Sequence, residues 1–193
     1  MWKVDSKNIT NFEASIGELQ SLIIFWILAA GKTASGSERI LNELLIKQSL
    51  PFTQLQKFTQ KELSIQLQKL GCGCFNNKAR SIYEIVNSNF DLKTCSIDEL
   101  ESIFGIGKKT SRGFILHTRK NAKYAVLDVH ILKFLNSEGY PDIPKSTPSN
   151  KFEYTRLEKY FLSICRQKRI SPSKFDLKIW NSYANNKKSK LLT

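Results

Sequence analysis

One lysine and one aspartate carry the most reactive chemistry that can be read from this chain. Leu100-Glu101-Ser102-Ile103-Phe104-Gly105-Ile106-Gly107-Lys108-Lys109-Thr110 reads as a helix, a tight Gly-x-Gly turn and a second helix that opens on lysines. Val126-Leu127-Asp128-Val129-His130 then sets Asp128 at the start of another helix. A neutral lysine amine can attack a sugar C1′, expel the base and leave an imine to the opened sugar. A free lysine titrates near ~10.4. Lys109 must therefore be driven toward its neutral form, by loss of water and by nearby positive charge from Lys108, Arg112 and the helix N-terminus. Asp128 taken alone is a helix cap, worth ~1 kcal/mol. Held in a cleft, it can also stabilise the positive charge that grows on the sugar and move protons in later steps. The pair is the specific signal, because either residue alone is ordinary.

The turn between the helices suits a phosphate. Gly105 and Gly107 flank Ile106, and glycines admit positive φ and close approach by another chain. Amides at the start of the next helix then face outward, where the dipole favours an anion. Ile106 anchors the turn from below, and Lys108, Lys109, Arg112, Arg119 and Lys120 surround it. Gly105, Ile106, Gly107, Lys108 and Arg112 are the candidate DNA-binding residues. His130 is a further candidate, facing a phosphate or serving the structure. The turn carbonyls are a candidate site for a structural monovalent cation. The competing reading is a helix–turn–helix that only packs.

Helices must position these groups, and the chain reads as helical almost throughout. Ile16, Leu19, Leu22, Ile23, Trp26, Ile27 and Ala30 recur at three- and four-residue steps, which marks a buried helix ended by Gly31. Ser37 to Lys47 is a second amphipathic helix, and Leu50-Pro51 is a break. Thr59 with Glu62, and Ser96 with Glu99, have the spacing of capping boxes. Lys78 to Phe90, Asp128 to Leu135, Phe152 to Cys165 and a last helix from Ser171-Pro172 complete the set. Pro141, Pro144 and Pro148 mark a loop, and the Lys/Asn/Ser tail reads as mobile.

The totals agree with a nucleic-acid partner. Lys plus Arg is 30 against 17 for Asp plus Glu, a net charge of +13 spread along the chain. A folded protein this basic commonly meets a polyanion. The cysteines Cys72, Cys74, Cys95 and Cys165 have neither zinc nor iron–sulfur spacing, so no metal is expected. Leu22 to Ala30 is apolar but far short of the ~20 residues that span a bilayer. Asp5, Glu13 and Glu18 speak against a signal peptide. An intracellular protein, found with the DNA in cytoplasm or nucleus, is the expectation.

The block L-x-x-I-x-G-I-G-K-K-T-S followed by V-L-D-V-H-I-L-K resembles the helix–hairpin–helix DNA glycosylase superfamily, which includes endonuclease III and the 8-oxoguanine glycosylases. Lysine after the hairpin marks the members that are both glycosylase and lyase; Lys109 matches it, and Asp128 matches the family's aspartate. Phe25 to Ala34 is similar to the helix and loop that enters the duplex, and Leu70-Gly71 with Lys78-Ala79-Arg80 also fits. Pro144-Lys145 and Phe175-Asp176-Leu177-Lys178-Ile179-Trp180 are most similar to the compact archaeal-type 8-oxoguanine glycosylases. By that likeness Asp176 and Trp180, four apart on one helix face, can stack on and hydrogen-bond a flipped purine; a core Trp with a surface Asp is the plainer reading. The endonuclease III cysteine cluster is absent, and the chain runs on through Lys187, Lys188 and Lys190 to Thr193 where the compact group uses its terminus near the base.

The resemblance implies an all-α fold of two helical lobes with a DNA cleft between them, residues 31–127 forming one lobe and 1–30 plus 128–193 the other. It implies a monomeric bifunctional glycosylase and AP lyase acting on 8-oxoguanine in double-stranded DNA without a cofactor. The alternatives are an oxidised-pyrimidine glycosylase, a lyase acting mainly on abasic sites, and a non-catalytic hairpin protein that only binds DNA. A general nuclease fits less well, since no cluster of acids has metal-site spacing.

Overall fold

Many helix starts fall where a side chain caps them. The computed structural model describes residues 4–45 and 50–185, and these contain helices and no strand. The helices are α1 (Ile16–Ala29), α2 (Ala34–Leu44), α3 (Pro51–Leu55), α4 (Gln60–Lys69), α5 (Phe75–Val86), α6 (Ile97–Ser102), α7 (Lys108–Thr118), α8 (Val129–Ser137), α9 (Lys151–Gln167) and α10 (Pro172–Asn185). Both expected capping boxes form, Thr59 with Glu62 on α4 and Ser96 with Glu99 on α6; a third, Ser15 with Glu18, opens α1. Pro51 does more than break the chain, for it starts the short α3 from its first turn. α5 begins three residues before the expected Lys78, because Cys74 enters it in the left-handed region at φ 56. α2 ends at Leu44. Ile46 and Lys47, read as part of that helix, lie outside the described residues, as do Lys187, Lys188, Lys190 and Thr193 of the tail.

Two apolar cores divide the chain near residues 125–127. The larger gathers Val4, α1 to α7 and Val126, with Ile23, Leu41, Leu63, Ile82, Leu100 and Phe114 fully or almost fully dry. The smaller gathers Ala125, Leu127 and α8 to α10, around Leu135, Tyr154, Leu157 and Phe161. The N-terminal helix departs from the expected partition. α1 is buried from Leu19 through Leu28 and packs on α2, α3, α5 and α7. A helix that is apolar all round needs neighbours all round, and the larger core supplies them. The N-terminal arm still reaches the second half, for Asn181 Nδ2 donates to the Lys7 carbonyl at 3.3 Å.

The strand of chain between the cores is firmly held. Tyr154 on α9 donates its hydroxyl to the Ala125 carbonyl at 2.8 Å and accepts from the Leu127 amide at 3.2 Å. Glu158 accepts from the Ala125 amide at 2.9 Å, and Thr147 donates to the Leu127 carbonyl at 2.7 Å. No helix among the described residues is long and apolar enough to cross a membrane.

Candidate active site

Lys109 sits in the first turn of α7, half-buried, directly after the hairpin turn. Burial holds its amine below the ordinary lysine value, and the Asp128 carboxylate pulls the other way. The two side chains therefore face each other electrostatically, although no ion pair joins them among the described residues. Asp128 caps α8, its Oδ1 accepting from the His130 and Ile131 amides at 2.9 Å each. That leaves its second oxygen uncommitted to the cap. The carboxylate is fixed by backbone at a helix N-terminus. Desolvation is the main cause of the amine's shift, not the neighbouring cations expected from the sequence.

Arg112 explains part of that difference. It is 8% exposed and pairs with Glu101 at 2.7 Å and Glu158 at 3.3 Å, with its guanidinium 4.6 Å from the Tyr154 ring. Two carboxylates neutralise it and hold it inside, so it ties α6, α7 and α9 together and is not placed to meet DNA. The sequence shows a basic residue beside the hairpin but not the acid 46 positions later that claims it.

The turn itself is open outward and anchored inward. Gly105 adopts φ +76, and a Cβ there would meet Ser81 Oγ at 2.4 Å. Gly107 is extended at φ −96, a conformation any residue adopts; what it offers is open space, since nothing lies within 4 Å of a Cβ placed there. Ile106 is buried at 3%, and Lys108 is half-exposed. The Phe104 amide donates to Glu84 at 2.8 Å, Glu84 pairs with Arg80 at 2.8 Å, and Arg80 lies 3.9 Å over the Phe104 ring. These contacts fasten the turn to α5.

The proposed base-facing residues part company. Trp180 is half-buried and stands edge-on to His130 at 6.4 Å, while His130 stacks on Tyr183 at 5.4 Å. Asp176 is turned inward instead, buried, with Oδ2 3.2 Å from Nε2 of the fully buried His117. Its carboxyl is raised above the ordinary range by burial, opposed by His117. Two residues to which the sequence reading gives no catalytic role border this region. Trp26 closes on α7, with ring atoms 2.7–2.9 Å from where a Gly113 Cβ would stand, and it stacks on His117 at 6.0 Å. Lys78 is 5% exposed and donates to the Leu28 carbonyl at 2.6 Å, its amine held low by burial. A helical three-four pattern marks Trp26 and Lys78 as inward, but nothing local marks them as neighbours of the hairpin helix.

No group of three or more His, Cys, Asp or Glu that could hold a metal occurs among the described residues. The arrangement joins an amine of lowered basicity, a fixed carboxylate and an open glycine turn.

A family model described as 8-oxoguanine DNA glycosylase matches residues 6–170. An 8-oxoguanine DNA glycosylase/AP lyase of Sulfolobus acidocaldarius is 27% identical over 178 residues, covering 84% of this chain and 80% of that protein. The crystal structure of the 8-oxoguanine DNA glycosylase of Thermotoga maritima superposes with a TM-score of 0.69 at 23% identity, over 87% of this chain and 80% of that one. The Methanocaldococcus jannaschii 8-oxoguanine glycosylase/lyase, in complex with a 15mer DNA containing 8-oxoguanine, superposes with a TM-score of 0.73 at 23% identity, over 97% of this chain and 90% of that one.

Proposed function

Because the chain belongs to the 8-oxoguanine DNA glycosylase family, we propose that it excises 8-oxoguanine from double-stranded DNA and nicks the strand at the resulting site. The observation that carries this reading is the half-buried Lys109 amine, acted on by the Asp128 carboxylate, directly behind an open glycine turn. Backbone amides of the turn and Lys108 bind a phosphate and set the nucleotide's register. The lesion base turns out of the stack, at a cost of a few kcal/mol. The Lys109 nitrogen bonds to C1′ as the C1′–N bond to the base breaks, and the base leaves with the electron pair and takes a proton. Asp128 stabilises the positive charge on the sugar while that bond is stretched.

Ring opening then converts the aminal to an imine between Lys109 and C1′. The imine makes the C2′ proton acidic. Its loss expels the 3′ phosphate by β-elimination, and water hydrolyses the imine to free the amine. Each step uses the amine, a carboxylate and water, with no cofactor. The base itself is bounded by Trp180, while Asp176 supports the site from behind.

Borohydride tests the reading by reducing the imine to a stable amine. Incubating the protein with an 8-oxoguanine duplex and borohydride is expected to give one covalent protein–DNA adduct, and Lys109→Gln to give none. An adduct of wild-type yield from Lys109→Gln would overturn the assignment. A panel of duplexes carrying 8-oxoguanine, thymine glycol or an abasic site fixes the preferred substrate; preferential release of thymine glycol would move the protein to oxidised pyrimidines.

A further inference from the structure

Behind the candidate pair runs a buried line of polar groups that the reaction does not touch. His117 lies on α7 two turns beyond Lys109 on the same stripe and is fully buried. Its Nδ1 meets Thr10 Oγ1 at 2.8 Å, and its Nε2 meets Asp176 Oδ2 at 3.2 Å. Trp26 covers the imidazole in a near-parallel stack, 17° between planes.

Asp176 and Asp128 are close enough to act on each other, but their surroundings differ. Asp128 takes two backbone amides and keeps some water contact. Asp176 is dry, and the partner it has is an imidazole. Two carboxylates in one poorly hydrated site do not both ionise without a compensating cation. Two backbone amides and a helix N-terminus are there to meet a negative charge on Asp128, and an imidazole is there to meet one on Asp176. One proton then belongs jointly to Asp176 and His117. With that proton on oxygen or on nitrogen, the dyad has no net charge.

We propose that His117 and Asp176 are positioning residues for the reaction, a buried one-proton dyad that leaves Asp128 the single carboxylate charge facing Lys109. The proposal rests on the glycosylase and lyase reading of Lys109 and Asp128. Its consequence is an alkaline limit. When the dyad gives up its proton, a second negative charge stands behind Asp128 and favours the protonated amine at Lys109, so imine formation slows. Among the described residues, the other titratable groups facing Asp176 are Tyr154 and Cys165 on α9. Burial pushes both up, Cys165 to about 12, so both stay neutral over the working range.

The test measures the rate of borohydride adduct formation on abasic duplex against pH, with the full chain. Asp176→Asn keeps the shape and one hydrogen bond but has no proton to lose, so its alkaline limb is expected about one pH unit or more above wild type. His117→Gln keeps a donor to Asp176 but removes the imidazole that shares the proton, so its limb is expected below wild type. Opposite shifts from two isosteric changes are not what a purely structural contact produces. Profiles that superpose on wild type, with the rate lowered by one factor at every pH, would overturn the proposal. Urea unfolding verifies that each variant is folded; should His117→Gln fail to fold, the direction of the Asp176→Asn limb decides alone. No adduct from the wild type at any pH would overturn the reading of Lys109 itself, and the dyad's role with it.

Discussion

Two stripes of α7, three residues apart in sequence, treat positive charge in opposite ways. On one, Arg112 is paired with Glu101 and Glu158 and packed on Tyr154. On the other, Lys109 is half-buried one and two turns before Gly113 and His117, with no bonded anion among the described residues, and Asp128 acts on it only across space. A cation held in the interior between two carboxylates is structural material, because neither its charge nor its proton is available. A cation deprived of water and without a bonded anion among the described residues is the one suited to the proposed attack, since burial then favours its neutral form. The difference lies in what the rest of the fold brings to each stripe, not in residue type.

The largest effect that separates the stripes is on chemistry. Lys109→Gln is expected to remove borohydride-trapped adduct entirely, whereas Arg112→Ala is expected to trap at a rate that tracks its folded fraction. If Arg112→Ala stays folded and traps nothing, the distinction between the stripes fails. On stability the order reverses. Arg112→Ala strands two largely buried carboxylates and is expected to cost about 3 kcal/mol in urea unfolding. Lys109→Gln removes a buried amine whose pKa is lowered in the fold. Such a group opposes folding while it must shed its proton or stay charged in a dry site, and that penalty fades as pH rises toward the ordinary lysine value of 10.5. The variant is therefore expected to be more stable than wild type at neutral pH, with the gain shrinking at high pH. A loss of stability at neutral pH would show that burial does not disfavour the Lys109 charge.

Two glycines sharpen the comparison further. Gly113→Ala drives a methyl against the Trp26 ring and is expected to cost about 1–3 kcal/mol, read as a lowered urea midpoint. Gly107→Ala meets open space in an extended backbone, so stability should hold within about 0.5 kcal/mol. Its added methyl instead stands where a phosphate would approach, and duplex affinity should fall several-fold in an anisotropy titration. Equal affinity to wild type would remove Gly107 from the contact with DNA. The smallest effect is on the salt dependence of binding, where Lys108→Ala should reduce the slope of log affinity against log salt by about one.

Local rules carried much of this into view from the sequence. The capping boxes at Thr59 and Ser96, the cap at Asp128 and the buried Ile106 depend on residues three or four apart, and all are present. That Lys109 and Asp128 stand near each other follows for a related reason, since a turn and a cap fix where each side chain starts; their catalytic roles are the proposal made above. The fates of Arg112 and Asp176 were not legible in this way. Glu158 and His117, which claim them, lie far along the chain and carry no local mark. α1 illustrates the same limit, because its apolar run announces burial but not against which core.

The junction around residues 125–127 has a mechanical consequence. Tyr154, Glu158 and Thr147 clamp its backbone to the smaller core by four hydrogen bonds, and Arg112–Glu158 and His117–Asp176 bridge the two cores, so swinging one half against the other would break bridging contacts worth about 1 kcal/mol each. The protein is a stiff anvil at that point. Curvature and extrusion must come from the duplex, and sequences or lesions that kink easily are the ones it will open first.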